Sequence, residues 1–180
     1  MEVQVKGQTR LIANEQSFDS RGEVAKLIHY VTGTGPRSQD KRDCICYGGH
    51  GVSVSQSVEL TIQQFEGVYR MYQGSRKSYA RRAYHEHIEI PYEYARRMSV
   101  KEMDDLAYQL SSHYWNDRYQ VVYGVHGPGK SGKHFHIHFA VNMVNSRTGK
   151  KFDTSGEKNR IRSCLFNRYM KSFMEARRLL

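Results

Sequence analysis

Four of the nine histidines fall between residues 126 and 138. His126 comes first. His134, His136 and His138 then occupy every second position, interleaved with Phe135, Ile137 and Phe139 and followed by Val141. In a strand, alternate residues share a face. The histidines therefore line one face, with Ala140 and Asn142 further along it, and the apolar residues turn to a core. The run Tyr119–His126 alternates too, with Val121, Tyr123 and Val125 facing one way and Gln120, Val122, Gly124 and His126 the other. The Gly- and Pro-containing segment between the runs predicts an antiparallel pair. That pairing brings His126 beside His136 and His138. Three neutral imidazoles from one sheet face can hold a divalent ion with open positions. Such an ion polarises a phosphodiester and stabilises the charge of an in-line displacement. The nucleophile is then water or a side chain, and a tyrosine would leave a covalent phosphotyrosine. With 13 tyrosines in the chain, residue chemistry alone does not choose among them.

The elements that position these groups follow from patterning. Val3 and Val5, then Leu11 and Ile12, predict a short first strand or hairpin. Ser20 caps a helix to about Val31, with Val24, Leu27, Ile28 and Val31 on its apolar side. Cys44–Val54, which contains Gly48-Gly49-His50-Gly51, reads as a loop or short strand. A helix over about 57–72 follows, anchored by Leu60, Phe65, Val68 and Met71. Tyr84–Ile90 alternates as a strand, with Tyr84, Glu86, Ile88 and Ile90 opposed to His85, His87 and Glu89. Ser99 and Glu102 form a capping box for a helix to about Trp115 with the stripe Met103, Leu106, Ala107 and Leu110. Thr154 and Glu157 predict a second box, opening a terminal helix with the stripe Ile161, Leu165, Met170 and Phe173. The sum is an α+β domain over residues 1–180. It has a mainly antiparallel central sheet, helices packed on one face, and an open histidine-bearing face.

Composition narrows the partner. Lys and Arg number 28 against 18 Asp and Glu, a formal charge of +10. Basic residues mixed with many aromatic rings suit single-stranded nucleic acid, where cations track phosphates and rings stack on bases. Arg76, Lys77, Arg81 and Arg82 lead directly into the Tyr84–Ile90 strand and are candidate phosphate contacts, with Asn142 as a further DNA contact. No run approaches the ~20 apolar residues of a membrane span, and the N-terminus lacks a signal peptide's apolar stretch. Three cysteines without framework spacing fit a reducing, cytoplasmic setting.

The spacing H-x9-H-x-H, followed by an apolar strand and Asn142, resembles the third motif of DNA relaxases, the HUH endonucleases of conjugation and plasmid mobilisation. Lys26–Thr32 resembles that group's N-terminal tyrosine segment. Arg82–Ile88 resembles its second motif. Asn142–Asn145, with Gly149–Phe152, resembles the "N-x-V-N-x-x-x-G-K-K" after its histidine strand. The resemblance runs from about residue 20 to residue 173 in family order. It implies a metal triad of His126, His136 and His138 and Tyr30 as nucleophile, with His29 as the alternative nucleophile. It also implies a divalent ion, Mg2+ or Mn2+ ahead of Zn2+ or Ni2+. The substrate is single-stranded DNA at the nic site of an origin of transfer, on a plasmid or integrative conjugative element in a bacterial cytoplasm, and accessory relaxosome proteins are possible partners. Two departures stand out. Gly127-Pro128 replaces the acidic residue expected after the first histidine, and Ile90-Pro91 replaces a Ser-Phe pair. Glu89 is a candidate for the missing carboxylate. By motif position, His87 falls near the site, and His134 lies one pleat further out. Longer relaxases continue into helicase, primase or assembly domains, so Leu180 is compatible with a position inside a longer chain. Two other readings share features of this sequence. A rolling-circle replication initiator shares the metal motif, but its tyrosine follows the histidines, whereas Tyr30 precedes them. A non-catalytic single-stranded-DNA-binding module on the same fold accommodates the missing carboxylate and serine.

Overall fold

The computed structural model describes residues 11–13, 18–36, 43–73, 81–128 and 134–177; the expected strand residues Val3 and Val5 lie outside them. The elements in chain order are β1 (Leu11–Ala13), α1 (Arg21–Val31), β2 (Cys44–His50), α2 (Val58–Gln73), β3 (Ala83–Pro91), α3 (Tyr92–Ala95), α4 (Val100–Asn116), β4 (Val121–His126), β5 (His134–Asn142) and α5 (Gly156–Ala176). The strands form one sheet in the order β1-β3-β5-β4-β2, and every pairing is antiparallel.

Strand alternation divides the sheet as the sequence predicts. Tyr84, Ile88, Ile90, Val121, Tyr123, Val125, Phe135, Ile137, Phe139 and Val141 face one core, beneath α4 and α5. The other face is shared. Ala83, Val122 and Ala140 carry a second core against α1 and α2, while the histidines occupy the rest of that face. Helices thus lie on both faces. α1 and α2 cross the end where the strands present small or β-branched side chains, and the last turn of α1 reaches over the adjoining histidines, leaving His85, His126 and His138 buried and His87 and His136 partly exposed.

Local signals fix most helix ends. Ser20 Oγ accepts from the Glu23 amide and Glu23 reaches back to the Ser20 amide, a capping box that opens α1. Ser99 and Glu102 do the same for α4, which buries Met103, Leu106, Ala107 and Leu110 as expected. The third cap differs. α5 is capped by Ser155, whose hydroxyl accepts from the Lys158 amide, and Thr154 lies outside the helix.

Two helices are rolled away from their expected stripes. α2 buries Thr61, Ile62, Phe65, Glu66 and Tyr69, leaving Leu60 and Met71 exposed. α5 buries Arg162, Phe166, Met170, Phe173 and Met174, leaving Ile161 and Leu165 exposed. The cause is the same in both. Glu66 turns inward to meet Arg82 at the start of β3, 2.8 Å away. Arg162 turns inward to Glu86 of β3, 2.5 Å away, and Glu86 also accepts from the Tyr114 hydroxyl at 2.7 Å. A buried charge is tolerated only when paired and hydrogen-bonded, so these contacts set the rotation of each helix.

β2 is a strand because β4 makes it one. Its Gly48 leaves room for the Tyr123 ring, and the main chain of Gly49 lies close against Val121.

Candidate metal centre and nucleophile

Register places five imidazoles on one patch of the sheet. His126 is opposite His136, His138 is opposite His87 and Gly124, and Glu89 is opposite His136. His85 is one pleat along from His87. His138 is the hub. Its Nδ1 lies 3.1 Å from His85 Nε2, and its ring centroid is 4.6 Å from that of His126, 5.3 Å from those of His85 and His87, and 5.8 Å from that of His136. Among the described residues, His85, His87 and His138 form a group whose ligand atoms all lie within 4.8 Å of one another. This buried three-histidine cluster can hold a metal ion.

The trio expected from spacing shares His138 with that group, and each of its rings has a partner on at least one nitrogen. His126 Nε2 lies 2.9 Å from the Val31 carbonyl oxygen. His136 Nε2 lies 3.6 Å from Glu89 Oε1, and His138 Nδ1 meets His85. An imidazole that ligates a metal typically uses its other nitrogen in this way. Glu89, expected on this face, is thus beside a histidine of the expected trio. His134 is exposed at the far end of β5, opposite Pro91.

Electrostatics favour the neutral form of four of these five imidazoles. Burial, with His87 and His126 adding to it, holds the His85 imidazole down to about 4. Burial first, and then the four surrounding imidazoles, push His138 well below the ordinary histidine value. His87 and His136 are lowered by burial against the opposing pull of Glu89. Neutral imidazole is the form that ligates metals. His87 Nδ1 is also buried without a hydrogen-bond partner among the described residues, a cost that an ion removes. The donor set therefore fits a divalent ion.

Tyr30 leans into this patch from the last turn of α1. Its hydroxyl is 3.5 Å from His138 Nε2. Its ring is in contact with those of His85, His126 and His138 at centroid distances of 5.9, 5.3 and 5.1 Å. Other tyrosine–histidine ring contacts, Tyr108 with His50 and Tyr114 with His113, involve none of the five cluster histidines. His29, the adjacent residue, bonds through Nδ1 to Thr34 Oγ1 at 2.8 Å.

The approach of α1 depends on Gly124. A Cβ there would sit 1.8 Å from the Val31 carbonyl oxygen, the same atom that meets His126. One glycine thus seats the helix that carries Tyr30 against the histidine strands.

A family profile described as Relaxase: MobA/VirD2-like, nuclease domain, matches residues 30–169, from Tyr30 through all five clustered histidines. The chain belongs to this family. A search of curated proteins finds no match. Relaxases of this group nick DNA at origins of transfer in mobilisation, and the family is catalytic. No helix among the described residues of this relaxase domain is long and apolar enough to cross a membrane.

The expected DNA contacts fare unevenly. Asn142 is corrected: its side chain is 1% exposed, donating to the Phe65 carbonyl and Gln120 Oε1 and accepting from the Val144 amide. It braces the end of β5 and cannot reach a strand of DNA. Arg82 is held by Glu66, with its guanidinium over the Tyr69 ring, and so fastens α2 to β3. Arg81 packs its guanidinium 5.7 Å from the Tyr84 ring. Arg76 and Lys77 lie outside the described residues.

Sequence reasoning missed His85 as a member of the convergent cluster. The signal was present in the H-x-H pattern of β3, because alternation puts both histidines on the face of His138 once β3 pairs with β5.

Proposed function

We propose that this relaxase domain cuts one DNA strand with Tyr30. The observation that carries the reading is the Tyr30 hydroxyl at 3.5 Å from His138 Nε2, amid the histidine patch. Tyr30 attacks the scissile phosphate. The bond from phosphorus to the phenolic oxygen forms as the bond to the 3′ oxygen breaks. The phenol proton is lost, the leaving oxygen takes up a proton from solvent, and a 5′-phosphotyrosyl link and a free 3′-OH remain. The link stores the bond energy, so the strand can be rejoined.

His126, His136 and His138 would hold the divalent ion, Mg2+ or Mn2+. The Val31 carbonyl, Glu89 and His85 each partner one nitrogen of these rings, and the second nitrogen of His138 is the one beside the Tyr30 hydroxyl. Bound there, the ion supplies a Lewis acid for the phosphate oxygens. A second allocation, His85, His87 and His138, is favoured by their convergence and by the unpartnered His87 nitrogen. The bound DNA is the strand at the origin's nic site, with Arg76, Lys77 and Arg81 as phosphate contacts.

The test is metal-dependent nicking of a single-stranded oligonucleotide spanning the origin of transfer. EDTA should abolish product and Mg2+ or Mn2+ restore it. Binding without cleavage under both conditions would mark a non-catalytic module. Calorimetric metal titration separates the allocations. Loss of binding in His126→Ala and His136→Ala, with only weakening in His85→Ala and His87→Ala, supports the first, and the reverse supports the second.

A further inference from the structure

We infer that Tyr47 is a base-stacking residue, and that the groove beside it takes a base of the single strand next to the site of cleavage. The inference rests on the relaxase reading and adds a subsite to it.

Tyr47 lies on β2, the outer strand of the sheet at that edge among the described residues. In register it is opposite Gly124, which is opposite His138. Strand partners share a face, so Tyr47 belongs to the histidine face. Gly124 contributes no side chain between them, and the space above it is taken by Val31 at the end of α1. Tyr47 therefore stands beside the end of the helix that carries Tyr30. It is 42% exposed, with no ring contact to another aromatic or cationic side chain among the described residues.

A cavity of about 690 Å³ adjoins it, lined by Thr32, Gly33, Thr34, Cys44–Tyr47, Val100, Lys101 and Asp104. Sites for small organic groups are typically ~300–1,000 Å³, so a nucleotide fits. The lining runs from the chain just after Tyr30 around the sheet edge to the start of α4.

The lining chemistry selects a base over a phosphate. Asp104 accepts from the Tyr123 hydroxyl at 2.8 Å. Burial and Asp104 raise the Cys46 thiol, and burial raises Cys44, to about 12 and about 11, so both are neutral. The Asp104 carboxylate beside the neutral Cys46 thiol disfavours phosphate, and the lining cation Lys101 is paired with Asp105 at 3.1 Å. A flat exposed ring suits a base face, while the Thr32 and Thr34 hydroxyls, bonded to each other at 2.8 Å and to the Ile28 carbonyl and His29 Nδ1, close the helix end on the same cavity wall.

The test uses fluorescence anisotropy in EDTA, which removes cleavage. The probes are a 25-mer of thymidylate and a 25-mer of abasic (tetrahydrofuran) sites with the same phosphates. The wild-type chain should prefer the thymidylate oligomer. Tyr47→Ala should lose about tenfold on it, in the range of one base–aromatic stack, and nothing on the abasic oligomer. Tyr47→Phe should bind as wild type, since the ring is what stacks. The salt slope should be the same for all three, because no phosphate contact is removed. Equal binding of thymidylate by wild type and Tyr47→Ala overturns the inference. So does an equal loss on both probes, or no binding by the wild type. Base-selective, Tyr47-dependent binding without metal-dependent nicking of origin DNA would leave the subsite standing and strike the catalytic reading alone.

Discussion

Gly124→Ala is the smallest change that should separate Tyr30, the proposed nucleophile, from the histidine patch. The added methyl would lie 1.8 Å from the Val31 carbonyl oxygen and 2.9 Å from its carbonyl carbon. Both are main-chain atoms, so no rotamer change relieves the clash. A carbon–oxygen contact needs about 3.3 Å, and the end of α1 must therefore withdraw by about 1.5 Å. Tyr30 precedes Val31, and the His126 bond to the Val31 oxygen must lengthen with it. A misplacement of ~1 Å in a reacting group costs on the order of 100-fold in rate. Overpacking costs about 1–3 kcal/mol in stability. Single-turnover nicking of an origin oligonucleotide, run beside thermal unfolding, reads both. Gly127→Ala is the control, since a Cβ there meets its nearest atom at 3.6 Å, an ordinary contact, and both rate and stability should hold. A Gly124→Ala enzyme that nicks at the wild-type rate would refute the claim that α1 is seated by this glycine.

Two other predictions concern stability. Glu86→Gln leaves Arg162 buried without its counter-charge, which should cost about 3–5 kcal/mol in urea unfolding; a loss below about 1 kcal/mol would show that α5 is held by its apolar face alone. In EDTA, stability should be flat above about pH 7 and fall as the pH drops from about 6.5 toward 4. The folded state holds His85 at about 4 while the unfolded chain protonates near 6.5, so the unfolded state binds more protons in that window. His85 alone accounts for about 3 kcal/mol, and His138, His87 and His136 shift in the same direction. Stability that rises on acidification through this window would contradict a neutral histidine patch.

Much of the site was legible because it lies on strands. A two-residue period needs only alternation, and β3, β4 and β5 supply it cleanly. Once two histidine strands pair, their shared face follows. Ser99 and Glu102 announced α4 for a similar local reason. The helices α2 and α5 were harder. Their apolar residues define a stripe, but Glu66 and Arg162 lie inside it, and each is drawn in by a partner on β3 distant in sequence. Hydrophobic periodicity does not see that pairing. β2 carries no alternation of its own, and it exists because β4 offers it an edge. Asn142 looked like a site residue because it ends the histidine strand on the same face. Only the fold shows that α2 covers that end, which turns a candidate DNA contact into a buried bracket.

The most direct measurement is the location of the covalent bond. The wild-type domain, incubated with Mg2+ and an origin oligonucleotide, should yield an adduct that survives denaturation. Digestion and mass spectrometry should place a 5′-linked nucleotide on Tyr30, and Tyr30→Phe should give none. An adduct on His29 or any other residue, or one that persists in Tyr30→Phe, would contradict the account.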